Sequence, residues 1–396
     1  MDAAIETARL PARPPGSYDV GALRATEFPW ADQTIYLNHA GIGPLPERVR
    51  RDLAACLERR AAAYRLTDDD LFKVFDGARA AAAGLIGAHP EEIALATNTS
   101  TGINLAAQML PLGRGDVVLV SHGEFPANVV PWQRLERLGI TCELVPTTEE
   151  GWPDEPRLLD RMADPRVKVL ALSLVQFHTG YWADMAAFSA AARSTGTTLV
   201  VDAIQGLGQV PFDVRDTPVD ILACGAQKWL LSPWGSGFTY VRRELIAELD
   251  PPFAGWTSFE GTDDLTTLID YPRRWRGDAR KYEMITLPFH DLRGMTGSIG
   301  LLQEVGVEAI QAHLTRIAAP VLEWAARRGI PLGSPTGPRG SGIVALKPPN
   351  GPAAFAAISA AGVVASFREG AVRLSPHCYN TVEEMARVAD LLDRAV

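Results

Sequence analysis

Residues 198–229 read TLVVDAIQGLGQVPFDVRDTPVDILACGAQKW, and the fold is decided there. Two short runs, Thr198–Val201 and Ile221–Cys224, are continuously apolar rather than alternating. Strands of that kind are buried on both faces, as in a parallel sheet covered by helices. The first run ends at Asp202, and the second leads directly into Lys228. Ligands of open parallel sheets bind beyond the carboxyl ends of the strands. An acid and a lysine are therefore expected in one crevice.

Outward from this stretch, β-branched runs alternate with helical ones. Glu92–Thr97, Val117–Ser121, Cys142–Pro146 and Val167–Leu174 read as further strands. Thr101–Met109, Val130–Leu138 and Met185–Thr195 read as helices between them. Gly237–Arg242 suggests one more strand, possible in the antiparallel sense. Upstream, residues 47–66 and 71–86 have helical spacing, and the first thirty residues form a Pro-rich arm ending in strand-like Thr34–Leu37. Downstream, 250–280 reads as loop and 291–328 as one long helical region. The tail adds strands at 342–346, 363–367 and 372–374, a helix at 352–361 and a closing helix from Thr381. The expected organisation is an arm (1–35), a large α/β domain (36–290, with its N-terminal segment contributing to the small domain) and a smaller α+β C-terminal domain (291–396).

Composition removes several function classes. The chain has 396 residues, 47% of them hydrophobic and 21% charged, too apolar for wholesale disorder. Its apolar runs fall far short of the roughly 20 residues of a spanning helix, and the N-terminus lacks the apolar core of a signal peptide. A cytoplasmic protein with no membrane partner is expected. The net charge of −9 argues against nucleic acid, which selects a basic face. Four cysteines without CxxC pairs indicate neither a disulfide framework nor a metal site. No GxGxxG or Walker pattern is present, which disfavours nucleotide and nicotinamide cofactors.

Three elements carry chemistry. The run Ala96-Thr97-Asn98-Thr99-Ser100-Thr101 ends a strand and opens a helix, as an anion site or a simple N-cap. Asp202, at the end of an apolar strand, either caps the next turn or meets a cation that offsets its desolvation. Lys228, between an apolar strand and Trp229, is a poor surface lysine and suits Schiff-base chemistry. A hydroxyl-rich helix start for a phosphate, an acid for a pyridine nitrogen and a lysine for an aldehyde together describe pyridoxal 5′-phosphate.

A family resemblance rests on YLNHAGIGPLP (36–46), ATNTSTGINLA (96–106), HGEFPANVVPW (122–132), VDAIQGLGQVPFDV (201–214), CGAQKWLLSPWGSGFTYVRREL (224–245) and VRLSPHCYNTVEEM (372–385). On these motifs the chain resembles the class V aminotransferase group of fold-type I pyridoxal-phosphate enzymes. That group includes cysteine desulfurases, selenocysteine lyases and isopenicillin N epimerase. The resemblance implies a mostly parallel seven-stranded sheet between helices, a homodimer with active sites at the interface, and an α-amino acid substrate. By the same resemblance Lys228 holds the cofactor as a Schiff base and moves the Cα proton, while Asp202 pairs with the pyridinium nitrogen. Gln205 contacts the cofactor's 3′-oxygen, Thr99, Ser100 and Gln227 contact its phosphate, and Thr286 reaches the phosphate of the partner subunit. Arg373 holds the substrate α-carboxylate, a task suited to a guanidinium.

Departures from the family pattern bear on the reaction. Phe125 stands where many relatives stack a histidine on the cofactor ring; by the resemblance it stacks on the cofactor as well, but it cannot act as acid or base. Between Arg368 and Arg373 lie only Glu369-Gly370-Ala371-Val372, too few for the loop that carries a desulfurase cysteine. Cys378, beyond Arg373, reads as structural. Phe177 replaces a usual asparagine. His178 and His39 each read as a substrate-side group or as a satisfied histidine, and Trp234, Trp256 and Trp275 as pocket or packing residues. The expected reaction is β-elimination from a cysteine S-conjugate by a carbon–sulfur lyase of specialised metabolism. The alternatives are epimerisation, aminotransfer, and decarboxylation or oxidation.

Overall fold

The computed structural model describes residues 18–271, 274–284 and 286–396. In chain order its helices and strands are α1 (Val20–Glu27), β1 (Ile35–Tyr36), α2 (Glu47–Ala61), α3 (Asp68–Ile86), β2 (Ile93–Ala96), α4 (Thr99–Met109), β3 (Val117–Ser121), α5 (Val130–Gln133), β4 (Thr141–Val145), α6 (Glu155–Arg161), β5 (Val167–Ser173) and α7 (Met185–Thr195). There follow β6 (Thr198–Asp202), β7 (Ile221–Gly225), β8 (Gly237–Val241), α8 (Arg243–Glu248), α9 (Phe289–Val305), α10 (Val307–Arg328), β9 (Val344–Leu346), α11 (Gly351–Ala360), β10 (Val363–Val364), β11 (Ser366–Arg368), β12 (Ala371–Leu374) and α12 (Val382–Ala395).

The main sheet has seven strands in the order β2-β8-β7-β6-β5-β3-β4. Its pairs are parallel except those made by β8, which runs antiparallel to both β2 and β7. Alternate residues along each strand feed two separate cores. Leu170, Leu172, Leu199, Val201 and Leu222 enter one, and Val169, Ala171, Val200, Ile221 and Ala223 enter the other. Burial on both faces is why these strands read as unbroken apolar runs.

The C-terminal part contains an antiparallel sheet in the order β11-β12-β9. The N-terminal segment joins it through the parallel pair β1–β10 and the Asn38–Ser375 bridge. Arg24 reinforces that union by pairing with Glu384 and donating to the Tyr379 carbonyl.

Several boundaries differ from the sequence reading. The arm contains α1, capped by the Asp19 carboxylate. The helical pattern over 47–66 ends at Ala61, and that over 130–138 holds only four α-helical residues before a 3₁₀ stretch. The long helix over 291–328 is divided at Gly306, whose φ of 88° no helix admits. The division drawn at 290 falls in the first turn of α9, which packs against α2 and α3.

Candidate active site

The site lies where β3, β5, β6 and β7 end. Beyond β7 the chain turns sharply, with the Leu231 N–H donating to the Lys228 carbonyl and Ser232 N–H to that of Ala226. Leu231 has a φ of 54°, a left-handed conformation seldom adopted by a side chain of this size. The segment around Gly43 presses against this turn. A Cβ at Gly43 would stand 2.1 Å from the Lys228 carbonyl oxygen, so only glycine allows the approach. The lysine is thus fixed from both sides of its backbone. Burial draws its ammonium down to about 8, opposed by Asp202 and assisted by Arg373 and Arg368. An amine so shifted reaches its neutral form, the one a nucleophile and proton acceptor needs, far more readily near neutral pH than an ordinary lysine does.

Asp202 is the last residue of β6, opposite Ser173 on β5 and Ala223 on β7. It is 2% exposed, and Oδ1 accepts one hydrogen bond, from the Ile204 N–H at 3.0 Å. Burial pushes the carboxyl up to about 7; neighbouring Glu124 adds to this and Lys228 counters it. Glu124 itself is buried and accepts from Ser173 N–H (2.8 Å), Asn128 Nδ2 (3.0 Å), Gln176 Nε2 and the Ser173 hydroxyl. Burial raises its carboxyl as well. The sequence reading did not single out Glu124, although it lies inside the quoted HGEFPANVVPW stretch.

Asn98 caps α4 by accepting from Thr101 N–H, leaving the first N–H groups of the helix available. The Thr99 hydroxyl accepts from Gly225 N–H at 2.8 Å, which joins this helix start to the end of β7 and keeps the Thr99 O–H free to donate. Ser100 is exposed, and the Gln227 side chain lies close over Gly225. Gln205 is buried between two partners: Oε1 accepts from Trp229 Nε1 at 2.8 Å and Nε2 donates to the Ala40 carbonyl at 3.0 Å. One amide N–H of Gln205 remains.

Phe125, 43% exposed, places its ring centre 5.5 Å from Lys228 Nζ and meets Phe177 edge-on at 5.3 Å. Arg373 is 2% exposed. Nε donates to the Ser366 hydroxyl (3.0 Å) and Nη1 to the Phe177 carbonyl (2.6 Å), but among the described residues no carboxylate pairs with it. Burial lowers its guanidinium to about 10, with Arg368 contributing. His178, half-buried beside Gly123, has an Nδ1 without a partner, and burial lowers its ring.

His39 does not join this group. It is fully buried, Nδ1 donates to the Ser375 carbonyl at 2.8 Å, and Nε2 accepts from the Tyr379 hydroxyl at 3.0 Å. Burial and the adjacent His377 keep it neutral. Both of its nitrogens are thus engaged within the chain. Thr286 is exposed on the stretch before α9, and among the described residues no interaction ties it to Lys228. Trp275 stacks on Phe259, while Trp234 and Trp256 are exposed.

Half-buried Lys228 and buried Asp202 and Arg373, none of which forms an ion pair among the described residues, define the chemistry that this crevice accepts. An aldehyde answers the amine, a protonated ring nitrogen the acid, and a carboxylate the guanidinium. The residues fit pyridoxal 5′-phosphate, and the fold is that of a fold-type I pyridoxal-phosphate enzyme. The chain belongs to the class-V aminotransferase family, whose model matches residues 35–345. Among curated proteins it is 30% identical over 310 residues to an uncharacterized aminotransferase, YcbU, of Bacillus subtilis, covering 78% of this chain and 80% of that protein. It is also 30% identical to a probable cysteine desulfurase of Methanothermobacter thermautotrophicus, covering 72% and 71%. Among solved structures, an apo cysteine desulfurase from Thermococcus onnurineus superposes with a TM-score of 0.85 at 22% identity, covering 96% and 98%. A cystine C-S lyase, C-DES, in complex with its reaction product cysteine persulfide, gives 0.84 at 21% identity, covering 93% and 99%.

Proposed function

We propose that this enzyme is a homodimeric carbon–sulfur lyase that eliminates the thiol from a cysteine S-conjugate. The observation that carries this reading is the hairpin between β11 and β12. Arg368 pairs with Ala371, so the chain reverses through Glu369 and Gly370 alone, at φ 46° and 77°. Two successive positive φ values are the mark of a tight two-residue hairpin turn. No loop is present there to bring a cysteine to Lys228. Cys56, Cys224 and Cys378 are buried, and Cys142 lies on β4. Burial pushes the thiols of Cys224 and Cys378 far up, away from the thiolate that accepts sulfur. Elimination requires no enzyme thiol.

When bound, pyridoxal phosphate supplies a sink for the electron pair left on Cα. Arg373 holds the α-carboxylate and orients Cα–H toward Lys228. Lys228 Nζ accepts the Cα proton, which its depressed basicity near 8 permits at neutral pH. Asp202, ionised against the ring nitrogen, maintains the charge that makes the sink effective. Phe125 covers the crevice as an apolar lid and offers no proton. The Cβ–S bond breaks with its pair on sulfur, and with one water the products are thiol, pyruvate and ammonium. Thr286 would complete the phosphate site of a second copy, a reading supported by its own exposure and that of Ile269, Tyr271 and Met284.

The test is product analysis in D₂O with a panel of cysteine S-conjugates and simple amino acids. Pyruvate with stoichiometric free thiol is expected. Cα deuteration without turnover, or conversion of the cofactor to its amine form without thiol release, would replace the lyase by an epimerase or an aminotransferase.

A further inference from the structure

The β11–β12 hairpin presents more cationic surface than one α-carboxylate uses. Ser366 is opposite Arg373 and Arg368 is opposite Ala371. Residues opposite each other in an antiparallel pair share a face, as do residues two apart on a strand. Ser366, Arg368, Ala371 and Arg373 therefore occupy one face. Phe367 and Val372 occupy the other, where Phe367 packs against Phe355 of α11. Arg368 and Arg373 are diagonal neighbours, with Cβ atoms on the order of 7 Å apart. Like charges so placed are unfavourable unless an anion lies between or beside them.

The two arginines are not equivalent. Arg373 is buried and held by Ser366 and the Phe177 carbonyl. Arg368 is exposed, its one hydrogen bond goes to the carbonyl of its own neighbour Phe367, and it forms no ion pair among the described residues. The surroundings extend the same sign: His178 feels the positive charges of Lys347 and Arg373, countered by Glu369. A chain of net charge −9 thus presents a positive mouth to this crevice. Such a mouth concentrates anions.

We propose that the substrate carries a second anionic group, on the leaving side of sulfur, and that Arg368 binds it while Arg373 holds the α-carboxylate. The substrate class is then a cysteine S-conjugate whose thiol portion bears a carboxylate. This inference rests on the reading of the site as one for α-amino acids, and its test separates it from the lyase reaction. Binding to the holoenzyme is read from the change in visible absorbance with L-2-aminoadipate and with homoglutamine, which differ in distal charge and have no sulfur to lose. Turnover is read in parallel with S-carboxymethyl-cysteine and S-carbamoylmethyl-cysteine.

The dicarboxylate of each pair is expected to be favoured at least tenfold, in binding for the first pair and in kcat/KM for the second. In Arg368→Gln that preference should fall to near unity, and in Arg368→Lys, which retains the charge, it should survive in part. Equal affinity for the charged and amide ligands in the unaltered enzyme overturns the proposal. So does a preference that persists in Arg368→Gln, or an equal loss of both ligands in that variant. Absence of thiol release with the binding preference intact would reject the lyase, and with it the sulfur in the substrate, and leave standing an α-amino acid whose second anionic group is held by Arg368.

Discussion

Asp202, at the end of β6, and Glu124, just beyond β3, bring two buried carboxyl groups to the strand ends on either side of β5. Their inequality follows from their donors. Glu124 accepts four hydrogen bonds, whereas Asp202 accepts one from the backbone and awaits a cation. The Asp202 carboxyl lies at about 7 in the fold against an ordinary 3.8. Between those values the folded apoprotein retains a proton that the unfolded chain has released. Raising the pH across this window therefore favours unfolding, and the loss attributable to Asp202 approaches roughly 4 kcal/mol above pH 7. Asp202→Asn removes the ionisation without changing the side-chain shape. Urea unfolding of the two apoproteins from pH 4 to pH 8 should show the unaltered chain losing several kcal/mol relative to the variant. Parallel pH profiles would contradict this account of the buried acid. Supplying the cofactor should reverse the order, because a ring cation then stabilises the ionised aspartate and finds no charge in the variant.

At the scale of elements, the turn after β7 is held from behind by the segment between β12 and α12. His377 Nδ1 accepts from the Cys378 N–H, so its proton is on Nε2 and is donated to the Trp229 carbonyl at 2.9 Å. Trp229 in turn donates its indole N–H to Gln205, which fixes the amide with a spare N–H for the site. Trp229→Phe keeps the ring packing but leaves the Gln205 oxygen buried without its donor, at about 1–3 kcal/mol. Faster loss of cofactor on dialysis and a displaced visible band are expected. A variant that matches the unaltered enzyme in both would remove Trp229 from this role. Such a relay is not legible in sequence, since its members lie in separate motifs and meet only when the chain ends close on the sheet. Lys228 and Asp202 are legible because each follows a fully apolar strand whose end must face a crevice. Glu124 escapes that logic, as its donors Ser173 and Gln176 are supplied by β5 and the loop beyond it. Likewise a lone glycine in a helical pattern is ordinarily tolerated, so 291–328 reads as one helix until the φ of Gly306 divides it.

For the whole molecule, the stretch leading to Thr286 is anchored by a buried ion pair. Glu283, 2% exposed, takes Arg79 Nη2 at 2.7 Å and Nε at 3.0 Å, and also accepts from the Leu95 N–H at 2.8 Å. One carboxylate thus joins α3, the start of the sheet at β2 and the segment entering α9. Burial raises Glu283 and Arg79 opposes this, so the charge depends on its partner. Arg79→Ala strands that charge in the interior, where loss of one member of a buried pair costs about 3–5 kcal/mol. Replacing the pair by apolar residues would not restore stability, because Leu95 N–H would lose its acceptor. The combination Arg79→Met with Glu283→Gln removes both charges, fills part of the vacated volume and keeps an amide oxygen for Leu95. In urea unfolding it should recover at least half of what Arg79→Ala loses. If the double variant proves as unstable as the single one, charge burial is not what makes the single substitution costly. If it recovers stability yet retains cofactor poorly, the geometry of the Glu283 carboxylate also serves the cofactor site, as the role proposed for Thr286 requires.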